Sequence, residues 1–334
     1  MPAPGTQQQL LSREEIFALV RDELSRVEKE IGADSISSID AVTAIGRHLQ
    51  ASGGKRLRPA LLLLTARACG SRDEMAIRLG AVVELIHTAT LIHDDVIDSA
   101  EIRRGRPSTN SRWGNQISVL AGDWLYMQAF RRSLEERSFH ILDLLTGLTQ
   151  MMVEGELLQL DHQGRIDLSE QDYLNLVNRK TACLFSVSAR LGAVVAGAED
   201  GLETLLGDYG WHVGMAFQLV DDILDFTSSA QTLGKPVGSD LREGKVTLPL
   251  ILALEACAPA ERAQIETVVR ERAYQSVTLA AVLGLIEKYG GISQARRRAA
   301  ALAGRARELA AKLPESPYKA ALASIPELVI ERQS

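Results

Sequence analysis

The sequence predicts an all-α protein on three observations. Ala and Leu abound while aromatic residues make up only 4% of the chain, a balance that disfavours strands. Only 10 prolines interrupt 334 residues. Apolar residues recur at helical spacing over long stretches, and alternating, strand-like runs are scarce. With 46% hydrophobic and 24% charged residues, the composition is that of an ordinary globular chain with a sizeable core. No linker and no fixed-period repeat is visible, so residues 1–334 read as one helical domain.

Taken in chain order, each element has a local reason. Beyond a polar leader, residues 12–31 carry a helical pattern, with Ser12 placed to cap it and Glu15 at capping-box spacing. Residues 52–59 break the pattern with Gly53, Gly54, Lys55, Arg56 and Arg58, and Pro59 suits the first position of an apolar helix over 59–69. From 75 to 98 no proline intervenes, and Leu85, Ala89, Ile92 and Val96 mark one buried stripe of a long core helix. Helices are expected at 116–132, 139–160, 170–197 and 202–227, joined by short polar links. Residues 228–245 hold Gly234, Pro236, Gly238 and Gly244 among Lys235, Asp240, Arg242 and Lys245, which predicts a long polar loop of the kind that is often functional. Residues 248–329 return to Ala-rich helices, where the arginines of 294–312 read as a solvated basic face.

Charge and cysteine usage exclude several functions. The net charge of -6 offers no basic field for a nucleic-acid backbone. Cys69, Cys183 and Cys257 are odd in number and far apart, which suggests neither a disulfide framework nor a zinc site and fits a reducing cytoplasm. The start, MPAPGTQQQL, lacks a basic-then-apolar signal pattern, and the apolar runs 60–65 and 248–254 fall short of the ~18 residues that span a bilayer. A soluble chain is expected.

Two segments match DDxxD, Asp94-Asp95-Val96-Ile97-Asp98 and Asp221-Asp222-Ile223-Leu224-Asp225. With 18 Asp in the chain, random placement gives roughly 0.05 matches, so a pair is hard to credit to chance. At 3.6 residues per turn Asp94 and Asp98 share a helix face, as do Asp221 and Asp225. Like charges so close call for a cation, and carboxylate oxygens suit Mg²⁺, which prefers phosphate as a co-ligand. Calcium storage is disfavoured because the Asp-rich loop with a central Gly is absent. Basic residues stand near in sequence: Lys55, Arg56 and Arg58 at a helix start, Arg103, Arg104 and Arg106 after the first motif, Lys235 and Lys245 after the second. Such groups at helix N-termini hold phosphate oxygens well. No activated nucleophile, Walker A loop, HExxH or dinucleotide fingerprint appears. Metals, two anion subsites and an apolar interior without a nucleophile point to stabilising a departing diphosphate and its carbocation.

These residues resemble the trans-isoprenyl diphosphate synthases, or polyprenyl synthetases. The resemblance spans residues 49–254, with 255–330 as further helices, and rests on GGKRLRP from Gly53, the His-bearing helix to Asp-rich motif and RRG (His87 to Gly105), GDxLY from Gly122, GExxQ from Gly155, Lys180-Thr181, FQxxDDxxD from Phe217, and GKxxGxDxxxGKxTLP from Gly234. Every motif is intact and in order, and the long-chain, octaprenyl-type branch is the most similar. The resemblance implies an all-α isoprenoid-synthase bundle around a central cavity, usually in a homodimer. It implies that Asp94, Asp98 and Asp221 ligate Mg²⁺, three ions per active site, with Asp95, Asp222 and Asp225 in support. It implies that Arg103, Lys180, Thr181, Gln218, Lys235 and Lys245 hold an allylic diphosphate and that Lys55, Arg58, His87 and Arg104 hold isopentenyl diphosphate. The implied reaction is ionisation of the allylic diphosphate, attack by the isopentenyl double bond, and proton loss to the released pyrophosphate.

Product length has a physical handle. The growing tail is expected to run from the metal site along the helix bearing Asp94, toward its N-terminal end. Thr90 and Ala89, four and five residues before Asp94, are small, where short-chain members tend to carry bulky aromatics as a floor. From Val82 to Asp94 the helix lines about 18 Å. A long product is expected, with Tyr126 and Phe130 as further candidates for the residue that stops elongation, suited to a respiratory quinone side chain. The rivals are a short-chain synthase and a non-catalytic partner subunit; intact carboxylates in both motifs argue against the second, and the second DDxxD argues against a terpene cyclase. A very apolar product leaves room for transient membrane contact at release.

Overall fold

The computed structural model describes residues 10–51, 53–103, 105–228 and 236–332. Within these the chain is helical apart from a two-stranded hairpin, β1 (Ile102–Arg103) antiparallel to β2 (Arg106–Pro107). Ser12 caps as the sequence predicts, with both capping-box bonds to Glu15, but the helix it starts is short, α1 (Arg13–Ala18). It breaks at Leu19 and Val20 and resumes as α2 (Arg21–Asp34), so the single helix expected over 12–31 is two. α3 (Asp40–Ala51) is a further helix, one that the sequence pattern does not announce.

α4 (Leu57–Ala68) and α5 (Met75–Ile97) are apolar on nearly every side, and both are core helices. α4 begins two residues before Pro59, whose missing N–H costs nothing in a first turn. By length and composition α5 is apolar enough to cross a bilayer, which the shorter runs 60–65 and 248–254 are not; 67% of that stretch is buried inside the bundle, which accounts for its apolarity. α6 (Thr109–Trp113) comes after the hairpin, and α7 (Asn115–Glu135) and α8 (Phe139–His162) pack beside α5 and α10 (Cys183–Val195).

Residues 170–197, expected as one helix, are α9 (Glu170–Val177) and α10 joined through a π-turn, Asn178–Ala182. α11 (Asp200–Thr227) packs against α10. Of the loop predicted over 228–245, residues 229–235 lie outside the described residues; the part from 236 carries a short helix, α12 (Ser239–Arg242), and leads into α13 (Leu248–Ala256), α14 (Pro259–Glu271), α15 (Leu279–Lys288), α16 (Gly291–Ala310) and α17 (Pro317–Ile330). α16 and α17 lie against α11, and the buried side chains of all these layers form one continuous apolar cluster.

Candidate active site

Both acidic motifs stand at the C-terminal ends of long helices, α5 and α11, where unpaired carbonyls already concentrate negative charge. Carboxylates at such an end need cations or donors. Around the first motif they meet cations. Arg103 Nε, on β1, donates to Asp95 Oδ1 at 2.6 Å. Lys245 Nζ bridges Asp98 Oδ2 at 3.0 Å and Glu243 Oε2 at 2.8 Å, and these anions hold its ammonium well above the usual lysine range despite burial. Burial pushes the Asp94 carboxyl up to about 7, against the pull of Lys180 and with Glu156 adding to the rise.

Around the second motif the partners differ. Asp222 is buried and accepts from neutral donors, Tyr173 OH at 2.6 Å and Gln218 Nε2 at 2.8 Å; burial pushes it up to about 8 while those two bonds pull the other way. Asp225 is fully buried and receives Ser239 Oγ at 3.0 Å and the Asp240 N–H at 3.3 Å, pinning α12 to the end of α11. Asp221 alone turns outward, 3.1 Å from Arg332, whose guanidinium lies 4.4 Å over the Phe217 ring.

Asp94 and Asp221 line one cavity of about 870 Å³, together with Lys55, Arg58, His87, Lys180, Thr181 and Gln218. The π-turn brings in Lys180 and Thr181: Lys180 Nζ reaches Glu156 at 2.6 Å and Gln159 at 2.9 Å, and Thr181 Oγ1 donates to Gln218 Oε1 at 2.9 Å. α8 approaches this turn so closely at Gly155 that a Cβ there would lie 3.0 Å from the Lys180 backbone nitrogen. Arg58 Nη1 donates to His87 Nε2 at 3.0 Å and its guanidinium stands 4.8 Å over the Phe185 ring. Arg56, two residues earlier at φ 47°, also lines the cavity and pairs with Glu28 and Glu84.

Asp94 Oδ1 and Glu156 Oε2 are buried with no hydrogen-bond partner. Two orphaned anionic oxygens on the wall of one cavity fit a cation, since such groups are otherwise costly to bury. Among the described residues no three His, Cys, Asp or Glu side chains gather into a metal shell of their own. A hard cation completed by phosphate and water oxygens suits that donor set.

The site residues expected from sequence thus fall into groups. Arg103 and Lys245 pair with Asp95 and Asp98 of the first motif, none of these four lining the cavity and Asp98 being exposed, and Arg104 and Lys235 lie outside the described residues. Thr90 and Tyr126 line the cavity, whereas Ala89 is fully buried and neither it nor Phe130 reaches the wall. Bulk added at 89 would press on the core before it reached the cavity. α5 and α7 run antiparallel, tied by Arg78–Glu136 at one end and His93–Val119 at the other. The Tyr126 ring, tilted toward the start of its own helix, stands 5.9 Å from the His93 ring, so this aromatic hangs about one turn below Asp94. Sequence reasoning misses four participants. Glu156 and Gln159 sit inside the GExxQ motif, which does not by itself reveal their roles, while Tyr173 and Arg332 reach the site over 49 and 111 residues of chain with no local pattern to announce them.

The chain matches the Polyprenyl synthetase family over residues 39–286. It is 38% identical to an octaprenyl diphosphate synthase of Haemophilus influenzae over 97% of this chain and 98% of that protein. Its fold matches the crystal structure of a decaprenyl diphosphate synthase from Rhodobacter capsulatus, TM-score 0.91 and 35% identity over 97% and 100% of the two chains. A polyprenyl synthase of Caulobacter crescentus, complexed with calcium and isoprenyl diphosphate, matches with TM-score 0.92 and 36% identity over 98% and 99%.

Proposed function

The chain belongs to the polyprenyl synthetase family, and from that premise we propose that it is an all-trans polyprenyl diphosphate synthase, a prenyltransferase that lengthens an allylic diphosphate by head-to-tail addition of isopentenyl diphosphate. One observation carries the reading: Asp94 and Asp221, one from each Asp-rich motif, share a single cavity with the diphosphate-binding candidates and with an apolar wall.

The family is metal-dependent; here we assign Mg²⁺, three ions with substrate bound, to Asp94, Asp98 and Asp221. Bound there, Mg²⁺ would supply charge stabilisation for the departing diphosphate. The protein's own part is to hold and to exclude. Lys180, Thr181 and Gln218, linked to one another and to Glu156, Gln159 and Asp222, present donors to the allylic diphosphate, joined by Arg103, Lys235 and Lys245. Lys55, Arg58, His87 and Arg104 take isopentenyl diphosphate, with Arg58 held between His87 and the Phe185 face. As the allylic C–O bond breaks, the isopentenyl double bond attacks the cation and a proton passes to the released pyrophosphate. Leu91, Met152, Phe185 and Phe217 keep water from the carbocation.

We assign a product of about seven to ten isoprene units, because Thr90, four residues before Asp94 on the cavity wall, is small, and because octaprenyl and decaprenyl synthases stand among the relatives. A second reading, three or four units, is favoured by Tyr126, an aromatic at about the level where a floor would lie. A homodimer is supported by an exposed apolar face on adjacent helices, Ile117, Leu120, Met127 and Leu134 on α7 with Leu157 and Leu160 on α8. A cytoplasmic, single-domain enzyme that feeds a quinone pathway, with transient membrane contact at product release, completes the proposal, and the three free thiols suit that compartment.

The test is to incubate the purified chain with Mg²⁺, farnesyl diphosphate and labelled isopentenyl diphosphate and to size the dephosphorylated products by chromatography with mass detection. Long products support the first reading and products stopping at three or four units the second. No turnover with farnesyl or geranyl starters would leave a partner subunit as the explanation.

A further inference from the structure

His93 precedes Asp94 on α5 but points sideways, into α7. Its Nε2 lies 3.1 Å from the Val119 carbonyl and 3.5 Å from Asp123, and its ring faces that of Tyr126 at 5.9 Å. The imidazole can sit there only because residue 122 is glycine. A Cβ at Gly122 would fall 2.2 Å from His93 Nε2, closer than any real contact, although Gly122 lies mid-helix at an ordinary φ where glycine costs helix stability. The glycine is therefore a notch and the imidazole its filling. His93, Asp123 and Tyr126 all line the cavity, on the side where Val119 is open to solvent along the exposed apolar face of α7.

We propose that His93, seated in the Gly122 notch, is a specificity-determining residue: with Tyr126 it forms the α7 wall of the tail channel in the first turn below Asp94 and so sets how far elongation proceeds. This rests on the synthase reading and deepens it. A tail leaving a diphosphate at Asp94 must pass either this wall or Thr90, and Thr90 is small. The hydrogen bond to the Val119 carbonyl fixes the ring edge-on in the notch, which leaves the channel open. Displaced from the notch, the ring has the cavity to swing into; removed, it leaves a void beside Tyr126.

Three variants test this: Gly122→Ala, His93→Ala, and the two combined. Gly122→Ala is expected to shift the main product down by at least about one isoprene unit, because the added methyl evicts the ring into the channel. His93→Ala is expected to lengthen or broaden the distribution, and the double variant to return toward the parent as the new methyl fills the vacated notch. A role confined to helix packing would change melting temperatures and leave product lengths alone. His93→Gln, which keeps a donor for the Val119 carbonyl, guards against loss of folding and should hold the parental distribution more closely than His93→Ala. Unchanged products in soluble, active variants overturn the proposal, as does a double variant that keeps the full shortening of Gly122→Ala, since without the imidazole the methyl has nothing to evict. A parent chain that makes no polyprenyl diphosphate removes the synthase reading, and this one with it.

Discussion

The two Asp-rich motifs are the same five-residue pattern at the same end of two long helices, yet the protein uses them differently. In the first, Asp95 and Asp98 are matched by long basic side chains from a hairpin and a loop, and half-buried Asp94 keeps one buried oxygen without a hydrogen-bond partner. In the second, buried Asp222 and Asp225 accept, among the described residues, from Tyr173, Ser239 and the Asp240 N–H, bonds that tie α9 and α12 to α11, and Asp221 reaches the cavity. Salt bridges to Lys and Arg can open and re-form around an incoming charge, whereas buried bonds to a tyrosine, a serine and a backbone N–H fix a scaffold. A repeated motif therefore does not imply a repeated role: one end is built to rearrange and the other to stay put.

Neutralising the two cavity-facing carboxylates should have the largest effect. Asp94→Asn and Asp221→Asn are each expected to lower turnover by about a thousandfold, about 4 kcal/mol in the barrier, with the melting temperature unchanged or raised because at Asp94 a carboxylate whose buried Oδ1 has no hydrogen-bond partner is neutralised. A large loss of stability in either would break the division of labour. Magnesium pyrophosphate, added as one ligand at about a hundred times its dissociation constant, should stabilise the parent by about 2.7 kcal/mol, and differential scanning should show no such gain in the Asp94→Asn/Asp221→Asn pair. Asp225→Ala should keep that metal response while losing about 2 kcal/mol to denaturant, since it strands Ser239 Oγ and the Asp240 N–H. If Asp225→Ala instead melts like the parent and fails to respond to metal, the scaffold role belongs elsewhere. The smallest effect is expected from Tyr173→Phe, about 1 kcal/mol in stability with turnover reduced only a few-fold.

Much of this arrangement is legible in the sequence, for reasons that particular residues make clear. Helical periodicity finds α5, α7, α8 and α11 to within three residues at each end, because each buries a face or its whole surface in one core. The capping box at Ser12 is readable because its chemistry is local, while the break at Leu19 and Val20 is not, since no Gly or Pro marks it. The carboxylates and most of their basic partners announce themselves by type and spacing. Tyr173 and Arg332 do not, because nothing near them in sequence records that the chain folds them onto Asp222 and Asp221. The wall at Ala89 and Thr90 is half legible: helical geometry places both near the channel, but only the packing of α5 against its neighbours decides that 90 faces the cavity and 89 the core.

The π-turn between α9 and α10 has a consequence for how this chain can vary. A wider turn holds one residue more than an α-helix would over the same height, so it acts as an inserted register mark that shows no loop on the surface. Deleting any one residue from 178 to 182 would let the segment relax into plain α-helix and rotate α9 by about 100° relative to α10. Asn178 would then leave the Trp211 indole, and Lys180 would leave Glu156. Most helices of this bundle could trade side chains freely within their apolar faces. This stretch is bound by length as well as by composition, and single-residue gaps in it should be far less tolerated than substitutions.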